Sequence, residues 1–115
     1  MFIDNETRLR HMLDAAREAI SFAKNRTRND LDTDRMLTLS LVKCIEIIGE
    51  AAANITRERQ AELPQLPWPQ IIGMRNRLIH GYFDIKLDVV WKTLTDDLPP
   101  LIAELENIIT SEQQG

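Results

Sequence analysis

The sequence predicts an all-α protein, an up-and-down bundle of four or five helices forming a single domain over residues 1–115. Three observations predict it. Leu, Ile and Ala are abundant while aromatics make up only 5% of the chain, a balance that favours helices over strands. Apolar residues recur at helical spacing through most of the sequence, with no strand-like alternation and no internal repeat. Only 4 Gly and 5 Pro are present, which excludes collagen-like and low-complexity chains.

Residues 4–25 form the first predicted helix, capped by Asp4 or Asn5. Its apolar face is Leu9, Met12, Leu13, Ala16, Ala19, Ile20 and Ala23, with His11 on the solvent side. Residues 25–34 are polar and read as a loop. A long second helix spans 34–59, with Asp32 or Thr33 as its cap. Leu37, Leu41, Cys44, Ile45, Ile48, Ala52 and Ile55 make its stripe, which places Cys44 in the core. Leu39, Val42 and Ile47 lie off that stripe, so this helix is either central or also turned to a partner. Glu46 and Glu50, four apart, share its polar strip.

Three prolines within residues 63–70 make a rigid link. Trp68 is expected to plug the core there, and Pro69 suits a first helical position. The third helix covers 69–80, with Gly81 placed to end it. A fourth covers 87–98 through Leu87, Val90, Trp91, Leu94 and Leu98. Pro99-Pro100 is expected to break the chain direction before a fifth helix carrying Leu101, Ile102, Leu105, Ile108 and Ile109. Residues 111–115 read as a frayed end.

The formal net charge is −4, which excludes a strongly basic nucleic-acid coat. It leaves open a nucleic acid bound locally as a substrate. The charge is unevenly placed: residues 1–60 hold 10 basic and 10 acidic side chains, residues 61–115 hold 4 and 8. Two of those four basic residues are Arg75 and Arg77. One cysteine and two histidines exclude a disulfide framework and a Cys-rich zinc site, and no metal site or cofactor is expected. No Gly-rich phosphate loop, paired-histidine motif or Ser/His/Asp order occurs. There is no apolar run of the roughly 20 residues needed to span a bilayer and no signal-peptide core. The expectation is a cytoplasmic protein without a membrane partner.

The segment at 69–80 departs from a plain core helix. On a helical wheel Ile71, Met74, Leu78 and Ile79 cluster on one side and Arg75 falls among them, with Asn76, Arg77 and His80 opposite. A buried arginine cannot shed its proton and needs an anion. It is either a structural ion pair, for example with Glu46 or Glu50, or a group reaching a cleft for an anionic ligand such as phosphate. Asn76 and His80, four apart, would be neighbours, with His80 in the last helical turn. His80 moves protons readily near neutral pH and an arginine can hold charge growing on a phosphate, so the set suits RNA cleavage. The plain alternative for His80 is a helix-end histidine bonded to carbonyls. Tyr82 is either a packing side chain or one that stacks on a base or presents its hydroxyl for modification. One histidine cannot easily be base and acid at once; a two-fold dimer would supply two. Arg77 points away from Arg75 and is expected to face solvent.

Arg75-Asn76-Arg77-Leu78-Ile79-His80-Gly81-Tyr82 resembles the HEPN superfamily hallmark of Arg, a polar residue, variable residues and His. The Tyr two places after the His is the form seen in HepT-like toxins. RLRHMLDAAREAISF, IEIIGEAAANIT and LPWPQIIGMRNRLIHGYFDIKLDVVW extend the resemblance over most of the chain. The resemblance implies a HEPN-like homodimer whose motifs meet across a cleft. It implies a metal-independent endoribonuclease acting on tRNA or mRNA, the toxin of a type VII-like toxin–antitoxin module. By the same resemblance Arg75 and His80 are the catalytic pair, with Asn76 orienting them or contacting phosphate. Glu46, Glu50 and Arg77 are proposed supporting groups. It also implies an MntA-like nucleotidyltransferase antitoxin that adds AMP to Tyr82. The alternative is a non-catalytic HEPN subunit that binds substrate or partner for a nucleotidyltransferase. A third is a purely structural helical dimer.

Overall fold

The computed structural model describes residues 3–80 and 84–114. Helix α1 runs Asn5–Phe22 and is capped by Asp4, whose carboxylate accepts from Thr7 N at 2.7 Å. The polar stretch expected as a loop contains a single helical turn, α2 (Asp30–Thr33). Helix α3 (Arg35–Ala53) is capped by Asp34, which accepts from Leu37 N at 3.0 Å. Asp32 and Thr33, the expected caps, are taken up in α2, so the extended residue that opens α3 is Asp34.

Helix α3 also ends six residues earlier than the apolar periodicity suggested. Asn54 donates its side chain to Glu50 O at 2.8 Å. Thr56 then caps a separate α4 (Arg57–Glu62) by accepting from Arg59 N at 3.2 Å. Asn5 clamps this corner: Oδ1 accepts from Thr56 N and Nδ2 donates to Thr56 Oγ1, both at 3.1 Å. The start of α1 therefore meets the end of α3, so the two helices run antiparallel.

Trp68 is buried and donates from Nε1 to the carbonyls of Gln60 (3.1 Å) and Leu63 (3.0 Å), which plugs the core as expected. It opens α5 (Trp68–Ile72), with Pro69 in the first turn. The helix expected over 69–80 is not continuous. It breaks at Gly73, resumes as α6 (Met74–Leu78), and gives way to β1 (Ile79–His80), paired antiparallel with β2 (Asp84–Ile85). Lys86 N donates to Leu78 O at 2.7 Å, closing the base of the hairpin. Gly81, the expected helix stop, lies outside the described residues.

The last third of the chain is one helical run. Helix α7 (Leu87–Lys92) passes through a π-turn (Thr93–Asp97) into α8 (Leu98–Gln114). Pro99-Pro100 does not break the direction. Leu98 N reaches back five residues to Thr93 O, and the prolines then fall in the first turn of α8, where a missing N–H is tolerated. The expected frayed end is helical as far as Gln114.

One apolar cluster joins these elements, drawing on Leu9, Met12 and Ala16 of α1, Leu41, Ile45 and Ile48 of α3, Ile71 and Leu78 of α5–α6, and Leu98 and Leu105 of α8. Among the described residues strand content is limited to the two-residue hairpin, so the predicted all-α bundle stands. No described helix is long and apolar enough to cross a membrane. Cys44 is buried, and burial with the nearby Glu18 carboxylate pushes its thiol up to about 11. It is an inert core residue.

Candidate functional site

Gly49 of α3 sets the position of the motif segment. A Cβ there would stand 3.3 Å from Ile72 O and 3.4 Å from Ile71 O. That is tighter than most Cβ contacts, so a side chain here would push the end of α5 off by a few tenths of an ångström, and glycine lets it lie close against α3. The neighbouring Ala51 and Ala52 are buried while Glu50 is exposed, which accounts for the small-residue pattern of Gly49-Glu50-Ala51-Ala52. With α5 pinned, α6 follows alongside α3.

Arg75 projects from α6 toward α3, and its Nε stands 3.4 Å from Glu46 Oε1. The arginine side chain is 48% exposed and the glutamate 32%. Arg75 is therefore not the buried arginine that a continuous wheel over 69–80 required. The break at Gly73 resets the helical phase, and Arg75 takes the groove between α6 and α3, with its guanidinium in reach of solvent. Of the expected partners, Glu46 makes the pair and Glu50 does not.

A single monodentate pair this exposed contributes at most about 1 kcal/mol. Such a pair does not justify an arginine at this place by stability alone. The Glu46 carboxylate can be displaced by a phosphate, which offers more oxygens and more charge to the planar guanidinium fork.

Asn76 and Arg77 are exposed, as the wheel suggested. Arg77 Nη2 donates to Gln70 O at 3.0 Å. It borders a cavity of about 330 Å³ between α5–α6 and the start of α8, where Asp96, Asp97 and Glu104 also stand. Arg77 thus serves a different surface from Arg75. His80 is exposed, but it lies on β1 opposite Asp84 rather than in the last turn of a helix. Its expected i,i+4 relation to Asn76 is lost, because α6 ends at Leu78. The loss of helical spacing comes from the hairpin, in which Ile79 pairs with Ile85 and His80 with Asp84. Tyr82 lies outside the described residues.

Separate apolar side chains reach solvent on this side of the bundle: Met36 (81% exposed) and Leu39 (45%) in the first turns of α3, and Ile72 (37%) at the end of α5, three residues before Arg75. This confirms that α3 carries apolar residues on more than its core face. Further along α3, Glu50 borders a cleft with Arg8 and His11 of α1. His11 is exposed as expected, but its place in a polar cleft was not legible from one helix alone. Among the described residues no group of three or more His, Cys, Asp or Glu is arranged to hold a metal.

The family model described as ribonuclease HepT-like matches residues 12–108, and the chain belongs to this HepT-like ribonuclease family. A protein of Methanocaldococcus jannaschii named "Putative RNase" is 34% identical over 95 residues, covering 83% of this chain and 87% of that protein. A "Putative RNase" of Caldanaerobacter subterraneus subsp. tengcongensis is 33% identical over 105 residues, covering 91% and 94%. The "Probable ribonuclease HepT" of Thermococcus cleftensis is 35% identical over 95 residues, covering 79% and 86%. No solved structure matches.

Proposed function

We propose that this protein is a metal-independent endoribonuclease, with Arg75 and His80 as its catalytic pair. The observation that carries this reading is Arg75. It is an exposed guanidinium held by one weak carboxylate contact, five residues before an exposed histidine, in a chain of the HepT-like ribonuclease family. Arg75 exchanges Glu46 for the scissile phosphate and stabilises the charge that grows on it. The ribose 2′-oxygen attacks phosphorus, the bond to the 5′-oxygen breaks, and a 2′,3′-cyclic phosphate and a 5′-hydroxyl result. His80 takes the proton from the 2′-oxygen or gives one to the leaving 5′-oxygen. Asn76 contacts phosphate beside Arg75.

Since one histidine does not readily serve both ends of a single step, the working form is a homodimer with two copies of the motif in one cleft. Ile72, an exposed apolar side chain three residues before Arg75, favours this pairing. In the cell the protein is the toxin of a type VII-like toxin–antitoxin module. Its partner is an MntA-like nucleotidyltransferase that silences it by transferring AMP to the Tyr82 hydroxyl.

The test is cleavage of tRNA and mRNA in excess EDTA by wild type and His80→Ala, with growth on expression followed in parallel. The expected outcome is cleavage and growth arrest by wild type, with a loss of about 10²–10⁴-fold in rate for His80→Ala, the range of general acid–base catalysis. A wild type that binds a nucleotidyltransferase but leaves RNA intact would instead establish the non-catalytic subunit.

A further inference from the structure

The cleft between α1 and α3 holds a set of groups that the cleavage chemistry does not use. Its volume is about 200 Å³, on the scale of one nucleobase, and its walls include Arg8, His11, Ile47, Glu50, Ala51 and Asn54. Ile47 and Ala51 form an apolar floor, half-buried and buried respectively. Arg8 is fixed by its Nε, which donates to Ile3 O at 3.1 Å, so its terminal nitrogens remain for a ligand. Asn54 spends its amide N–H on Glu50 O, leaving its oxygen as an acceptor. Among the described residues neither Arg8, His11 nor Glu50 takes part in an ion pair. Opposite charges thus gather around one apolar-floored cleft without neutralising each other. This is the make-up of a binding site with a few convergent polar groups.

The cleft neighbours the Arg75–Glu46 pair along α3. Glu50 follows Glu46, the partner of Arg75, by one turn of α3, about 6 Å along the helix. A strand whose phosphate sits on Arg75 has only to cross α3 to reach it.

We propose that this cleft is a base-reading subsite for single-stranded RNA next to the scissile phosphate. Ile47 and Ala51 support one face of an unstacked base. Glu50, an acceptor-only carboxylate, receives hydrogen bonds from the base's Watson–Crick edge. Arg8 and His11 hold the adjoining phosphate. A carboxylate selects an edge with two adjacent donors, and among the four RNA bases guanine, with N1–H and its 2-amino group, presents them. The subsite rests on the nuclease reading above for its substrate class and adds a preference for guanine beside the cut.

The test uses fluorescent hexamers with 2′-O-methyl ribose throughout, which bind but cannot be cut: all-uridine, one guanosine in uridine, and one inosine in uridine. Affinities are read by fluorescence anisotropy on the full chain. Wild type should bind the guanosine hexamer about tenfold more tightly than all-uridine, within the range of a good bidentate base contact. Inosine, which lacks the 2-amino group, should fall between them. Glu50→Gln should erase the preference while leaving uridine binding in place. Arg8→Ala and His11→Ala should weaken all three hexamers alike. Equal wild-type affinities, a guanosine preference that survives Glu50→Gln, or unchanged binding by Arg8→Ala would overturn the subsite. The nuclease reading fails separately, if wild type leaves unmodified RNA intact while these hexamer affinities come out as expected.

Discussion

Arg59 and Arg75 both face carboxylates, in very different surroundings. Arg59 opens from α4 into a corner where Glu6 of α1, Glu62 of α4 and Glu112 of α8 converge on it. Its side chain is 16% exposed. Its Nε stands 3.3 Å from Glu6 Oε1 without the alignment of a hydrogen bond, so that contact is electrostatic, and the terminal nitrogens serve Glu62 and Glu112. Arg75 is 48% exposed and has one carboxylate oxygen at 3.4 Å. The first arginine ties three helices together and is largely withdrawn from solvent. The second leaves most of its donors in solvent. Within one small bundle, burial and number of partners separate an arginine that braces the fold from one that is free to take a ligand.

This contrast makes predictions of decreasing size. The largest is on activity, the loss of RNA cleavage in His80→Ala described above, which should leave melting little changed because His80 is exposed. Next is Arg59→Ala. Removing it strands three carboxylates around one corner and should cost about 2–3 kcal/mol. That is less than the roughly 3–5 kcal/mol for breaking a fully dry pair, because the carboxylates stay partly in water. A fall in melting temperature of roughly 10 °C should report it. A melting temperature unchanged in Arg59→Ala would remove the bracing half of the comparison.

The smallest effect concerns Arg26, another structural arginine. It donates to Asp34 at 2.7 Å and to Asp30 at 3.3 Å. The Arg26 hydrogen bond, followed by that from Leu37 N, holds the Asp34 carboxyl below the usual carboxylate range. Asp30 is lowered as well, mainly by the Thr27 N–H. A carboxyl depressed in the folded state contributes stability above its unfolded pKa of about 3.9, and that contribution disappears as pH falls through the folded value. Melting of wild type and Asp34→Asn should therefore differ at pH 7 and converge as the pH drops below about 4. A constant difference down to pH 2 would exclude this origin.

The parts of the fold legible in the sequence were those governed by a single helical period. The core stripe of α3 follows from spacing alone, as does that of α1 up to Ala19; Ile20, expected on the same face, is exposed in the last turn. What escaped were the places where local chemistry interrupts a periodic run. Asn54 and Thr56 stop α3 although Ile55 continues its apolar stripe and is buried. Gly73 resets the phase between Ile71 and Met74, both buried, so the pattern of apolar residues passes through the break unmarked. Pro99-Pro100 signals a break that the π-turn absorbs.

The site shows the same division. The residue types could be named in advance, and the partner of Arg75 narrowed to Glu46 or Glu50, of which the structure pairs Glu46. The exposure of Arg75 and the strand position of His80 could not, because both follow from Gly73 and the hairpin. The Arg8–His11 side of the cleft depends on α1 lying antiparallel against α3, a tertiary fact that no single-helix pattern carries.

The central claim is that Arg75 serves the reaction and not the fold. Its most direct test is Arg75→Ala, measured for RNA cleavage in EDTA and for thermal melting on the same preparation. Cleavage should be lost while the melting temperature stays within about 5 °C of wild type, as expected for removing an exposed pair worth under about 1 kcal/mol. Full cleavage by the variant, or a collapse in melting comparable to that of Arg59→Ala, would contradict it.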